Sequence, residues 1–160
     1  MDTSAVITLL HESLFMIVVF GVFLTIALIK GRYALINIIL ALYLALLISL
    51  KFPYFSVFLG TDSKGSDAVV MIVIFAVFTI MGVFLFRRLI PGDDFETTFH
   101  SFGKKLLFAI MATVLVMAYS YHALPVTDLI TPGSPIQSLF APEQHFFWWL
   151  ILPLIALFFV

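Results

Sequence analysis

The residues of this 160-residue chain that could do chemistry are few and scattered: four histidines, nine carboxylates and no cysteine. Three imidazoles, His11, His122 and His145, with Glu12, Asp128 and Glu143, would be able to bind zinc or sense pH if the fold gathered them on one surface. Their separations follow no ligand spacing, and histidines bordering apolar runs are most often amphipathic belt residues. No metal site is assigned, and His100, close to Lys104, reads the same way. Without cysteine there is no disulfide, thiolate metal site or cysteine redox couple. Hydrolases and transferases of the membrane need paired carboxylates, a Gly-x-Ser-x-Gly nucleophile or clustered cations at the lipid surface. The sequence has none of these patterns, nor the two aspartates in Asn/Gly-rich motifs of lipoprotein signal peptidases. The expectation is a protein that is not an enzyme and holds no cofactor and no metal.

The elements that would position such residues are dictated by hydrophobicity. Hydrophobic residues make up 63% of the chain and charged ones 11%, and mean hydropathy is +1.20. One soluble core could not hide that much apolar surface, so lipid is the expected solvent. A formal charge of −1 argues against nucleic acid as a partner. A hydrocarbon layer of about 30 Å takes roughly 20 residues of helix, and the apolar runs fall at about 13–29, 34–50, 68–86, 106–124 and 146–160. The fold class expected is all-α: a polytopic transmembrane helix bundle of four to five spans in one integral membrane domain, 1–160. The last run is about 24 Å long as a helix and carries Pro153, so it reads as a fifth span ending near the inner interface, with a re-entrant insertion as the alternative. Segment 125–145, with four prolines, reads as an irregular external loop.

Charge sets the orientation. Lys30, Arg32, Arg87, Arg88, Lys104 and Lys105 fall in two connectors, which the positive-inside rule places in the cytoplasm as charge anchors. Those six cations face three acids there, for about +3; the rest of the chain has two cations and six acids, about −4. The N-terminus is therefore expected outside. The polar, acidic start and the absence of a small-residue cleavage site after the first run argue against a cleaved signal peptide. Lys30 and Gly31 read as a cation and a C-cap glycine closing the first helix. Lys51 and Phe52-Pro53-Tyr54 mark the far interface of the second, and Ser66 or Asp67 is a candidate cap for the third. Phe146 to Trp149 reads as an aromatic anchor at the outer interface.

In lipid, small and weakly polar residues mark where helices touch. The second span has the clearest stripe, Asn37, Ala41, Ala45 and Ser49, each four residues from the last and hence on one helix face. Asn37 is the one amide within a span, and a single amide near a helix end suits interhelical adhesion. No Asp, Glu, Lys or Arg sits near the middle of a span, which removes the usual marks of proton relays and ion coupling. Two functions fit. The first is a structural or accessory membrane protein that assembles, as a homo-oligomer or with another membrane protein, through this face. The second is a channel or transporter subunit for a small solute, with a wet path near Thr25, Asn37 and Thr113.

The order of features resembles the colicin V production protein (CvpA) family of small bacterial inner-membrane proteins. The points of likeness are the outside N-terminus, the basic-glycine turn at Lys30-Gly31, the third span ending in Arg87-Arg88 and the fourth opening after Gly103. The family's acidic residue after the basic-glycine turn is missing from Tyr33 to Asn37, as is its Gly-x-x-x-Gly run in the fourth helix. What the resemblance implies is a multi-pass protein of the bacterial inner membrane with a role in envelope maintenance or secretion. It implies no functional residue.

Overall fold

The computed structural model describes residues 3–51, 64–90, 102–122, 124, 138, 140 and 142–158, with side chains from residue 14 in the first helix, Ile7 apart, and from 68 in the third. The chain is all-α. Among the described residues five helices follow in order: α1 (Thr3–Lys30), α2 (Arg32–Lys51), α3 (Lys64–Leu89), α4 (Phe102–His122) and α5 (Glu143–Phe158). Three of them, α2, the part of α3 from Ala68 to Leu89, and α4, are long and apolar enough to cross a membrane, with mean hydropathies of 2.4, 3.0 and 1.6. The described apolar parts of α1 and α5, Leu14–Lys30 and Glu143–Phe158, are shorter.

Helix ends reach beyond the apolar runs. α3 starts at Lys64, not at Ser66 or Asp67, and α4 starts at Phe102, ahead of the expected 106. Hydropathy marks the hydrocarbon layer, whereas a helix keeps its backbone hydrogen bonds into the interface, where polar side chains are welcome. The first turn is as expected. Gly31 has φ of +81° and its N–H reaches the Ala27 carbonyl at 3.1 Å, the left-handed cap that glycine adopts without a Cβ penalty. A single residue thus separates α1 from α2. At the end of α4 the Leu124 N–H bonds the Tyr119 carbonyl at 2.9 Å, the six-to-one bond of a helix C-cap. The Phe52-Pro53-Tyr54 break, nearly all of the connector at 91–103 and most of the loop at 125–145 lie outside the described residues.

α4 is the centre, packing on α1, α2 and α5, while α1 also packs on α2. α3 packs on α2 most extensively of all pairs. The core joins Ala27, Leu35, Ile39, Leu42, Ala45, Leu46, Phe75, Phe108, Ala109, Ala112, Leu115 and Tyr119. Half of the residues of the α4 span are buried, against 11% in α3. The outward face of α3 carries Val69, Val73, Val77, Ile80, Met81 and Phe84, all exposed, a surface that water would not tolerate on a monomer and that hydrocarbon would.

Candidate functional site

The small-residue face of α2 is the first candidate. Asn37, Ala41 and Ala45 are buried, and Ser49 is half-buried. What covers Ala41 belongs to the same chain: a Cβ added to Gly82 of α3 would stand 3.0 Å from the Ala41 Cβ and 3.1 Å from its Cα. Two helix backbones therefore approach closely at Ala41 and Gly82, as small residues allow. In a single chain this face joins α2 to α3, and it is not an open surface. The Asn37 Oδ1 and Ser49 Oγ are buried and accept or donate no hydrogen bond among the described residues.

A second group lies where α2, α3, α4 and α5 meet. The Tyr119 ring stands edge-on to Tyr43 (centroids 6.5 Å) and to Phe75 (5.8 Å), an arrangement that aromatic quadrupoles favour. The Tyr43 hydroxyl donates to the backbone carbonyl of Leu150. That carbonyl is one residue from Trp149, whose own carbonyl loses its intrahelical donor because Pro153 has no N–H. A tyrosine from α2 thus tethers α5 at its proline. Four other hydroxyls turn inward on their own helices: Thr25 to Gly21 at 2.7 Å, Thr79 to Phe75 at 2.9 Å, Thr113 to Ala109 at 2.7 Å and Ser120 to Val116 at 2.8 Å, while the buried Tyr119 hydroxyl has no hydrogen-bond partner among the described residues. Of the three residues expected along a wet path, Asn37 and Thr113 are buried and Thr25 is exposed. Thr113 borders a groove of about 200 Å³ between α1 and α4 whose remaining lining, Met16, Ile17, Phe20, Ile110 and Val114, is apolar.

At the opposite end from the cations, His122 is held by α5 and by Phe140. Its Nε2 lies 2.7 Å from the Phe140 carbonyl, so Nε2 carries the proton and donates, and its ring leans on Phe146 at 4.3 Å. Phe140 also meets Trp149 at 4.9 Å and stacks with Tyr121 at 6.2 Å. This is an aromatic plug with a histidine in it. His145 is exposed, the His11 and Glu12 side chains and Asp128 lie outside the described residues, and among the described residues no group of three His, Cys, Asp or Glu could hold a metal ion.

The six cations collect at one end of the bundle. α1 and α4 run antiparallel, since Phe15 packs against the cluster of Met117, Ala118 and Phe140 at the far end of α4 while Phe20 lines the groove with Ile110, nearer its start. α2 and α3 do likewise, with Ala41 beside Gly82 and Tyr43 and Phe75 sharing Tyr119. Lys30, Arg87, Arg88 and Lys104 are exposed and Arg32 is half-buried. The Arg32 guanidinium bonds the Tyr33 hydroxyl at 3.2 Å and lies 5.0 Å over its ring. Lys105, at the same end, is only 4% exposed.

Sequence reasoning missed Gly82, the Tyr43 tether and Phe140. Pro153 announces a weakened stretch of helix, but that the Tyr43 hydroxyl fastens it, at the neighbouring Leu150 carbonyl, is a matter of tertiary packing. No family model, no curated protein and no solved structure matches this chain.

Proposed function

We propose that this chain is a multi-pass protein of the bacterial inner membrane, N-terminus outside, with a structural or accessory role and no catalysis of its own. The observation that carries the reading is the use made of its polar groups. Four hydroxyls within the helices are turned back on carbonyls of their own helix and a fifth ties α2 to α5, and the buried amide and hydroxyl oxygens left over, Asn37 Oδ1, Ser49 Oγ and the Tyr119 hydroxyl, are uncharged and form no acid-base set, so most of the interior's polar groups serve to hold helices together. The order of features like that of the CvpA family supports a role in envelope maintenance or secretion. Its working contacts are then made by outward faces, with a second copy or another membrane protein, because the small-residue stripe of α2 is filled by α3.

The test is photo-crosslinking in native membranes from Val18 on α1, Val73 on α3 and Leu154 on α5, all exposed. A discrete protein adduct is expected from at least one of the three. Adducts with lipid alone at every position would sink the assembly reading.

A further inference from the structure

We propose that His122 is an acid-tightened latch between α4 and α5: with a second proton on its ring it holds Phe140, and with it the chain entering α5, more firmly than the neutral imidazole does. Phe140 lies three residues before α5 and is buried. Its ring is seated on Tyr121 and Trp149, and its carbonyl accepts from the His122 Nε2 at 2.7 Å. A carbonyl can only accept, so Nε2 carries the proton of the neutral ring and a second proton goes to Nδ1. Nδ1 makes no hydrogen bond among the described residues and is not one of their buried unpartnered atoms. It therefore opens to the surroundings, and a proton can reach it.

Three features of the place favour the contact with a charged ring, all with the same sign. The bond to the Phe140 carbonyl becomes charge-assisted, which roughly doubles the strength of such a bond. His122 is the last residue of α4, where the helix dipole draws a cation. The Phe146 ring lies 4.3 Å from the imidazole, centre to centre, at a tilt of 37°, within reach of a cation–π contact. Of the neighbouring groups, Glu143 and His145 on α5 are both exposed; the carboxylate has the sign that supports the charged ring, and His145 is a second imidazole that titrates. α2 brings Tyr43 and exposed Lys51 to this half of the bundle, and α4 itself brings Tyr119 and Tyr121. His11 and Glu12, one turn before Phe15 on α1, and Asp128 have side chains outside the described residues. The extra hold is full at the acid end and is lost as the pH rises and Nδ1 gives up its proton.

The latch is built by the packing of α4 and α5 and holds whichever side of a membrane that end faces, so its failure and a failure of the topology are separate results. The full chain in one detergent is followed from about pH 8 to about pH 5, the range in which histidines change charge. Imidazole nitrogen shifts report the proton, and exchange of amides 119–122 and 147–150, corrected for the intrinsic pH dependence of exchange, reports the hold. Nε2 should stay protonated while Nδ1 gains a proton. Exchange on both sides of the latch should slow about fivefold, the worth of a cation at a helix C-terminus, while that of amides 73–77 in α3 does not. His122→Gln keeps a donor but cannot take the charge, and it should lose the pH-dependent slowing; His145→Gln should keep it. Equal slowing in His122→Gln, its loss in His145→Gln, or an Nδ1 still bare at the acid end each overturns the latch. If His122→Gln does not fold, the wild type alone decides, because a titrating Nδ1 without slower exchange overturns it too.

Discussion

At Ala41 and Gly82 two helices touch through backbone, and a single methyl decides whether they can. With a Cβ at Gly82 placed 3.0 Å from that of Ala41, Gly82→Ala should push α3 away and cost about 1–3 kcal/mol, as overpacking does. Ala41→Gly in the same chain should restore part of the loss, since it removes the Cβ contact and leaves the Cα one at 3.1 Å. Helix propensity cancels in the double variant, since one glycine leaves a helix interior and another enters. Thermal unfolding of the four proteins in one detergent gives the coupling directly; additive effects would mean that the backbones do not meet there. Asn37, Ala41 and Ala45 could be read from the sequence because a four-residue period is a helix face. Gly82 could not, because one glycine has no period, and its meaning comes from the residue across the interface. Lys105 misleads for a related reason: beside exposed Lys104 it looks like another surface charge, yet it is buried.

At the scale of the helix, α5 is the element least explained by its own sequence. Its 16 residues span about 24 Å, short of a hydrocarbon layer of about 30 Å. Pro153 removes one of its backbone bonds, and in lipid each freed carbonyl must find another donor. α5 is fastened instead by its partners: α4 along its length, Phe140 and His122 around Phe146 and Trp149, and the Tyr43 hydroxyl at Leu150. Tyr43→Phe keeps the ring against Tyr119 and deletes only the tether. A hydrogen bond between helices in a bilayer averages about 0.6 kcal/mol, with a maximum of about 1.7, so exchange of the amides after Pro153 should quicken roughly threefold to twentyfold while those of α2 hold. Unchanged exchange in residues 154–158 would show that α4 alone fixes the helix. The existence of all five helices was legible from apolar run length and the Lys30-Gly31 turn. Their ends were not, because hydropathy reports the surrounding solvent, and α3 and α4 begin four residues earlier than their apolar runs.

For the whole molecule, the distribution of charge and the packing of the helices lead to the same arrangement by separate routes. Connector composition assigns Lys30, Arg32, Arg87, Arg88, Lys104 and Lys105 to one side of a bilayer, and the antiparallel pairs α1 with α4 and α2 with α3 carry those six residues to one end of the bundle. Which side of the membrane that end faces follows from the positive-inside rule. Alkaline phosphatase, active only outside, should therefore work when fused after Lys64 or Ser134 and fail after Lys30 or Asp94; activity after Asp94 would reverse the assignment. The rule also has a sharper consequence here. On the proposed topology, with Gly31 alone joining α1 to α2, the first hairpin would enter the membrane as one unit held by Lys30 and Arg32, with Lys51 and Lys64 the nearest cations opposing them. Lys30→Gln and Arg32→Gln together with Ser63→Lys and Ser66→Lys shift the bias by four charges to the other side. The hairpin should then insert inverted in a substantial share of molecules, read as phosphatase activity after residue 30. Arg87 and Arg88 still pull the far end of α3 inward, so those molecules hold α2 and α3 in conflicting directions and cannot form the Ala41–Gly82 approach, and they should be cleared by proteolysis faster than the wild type.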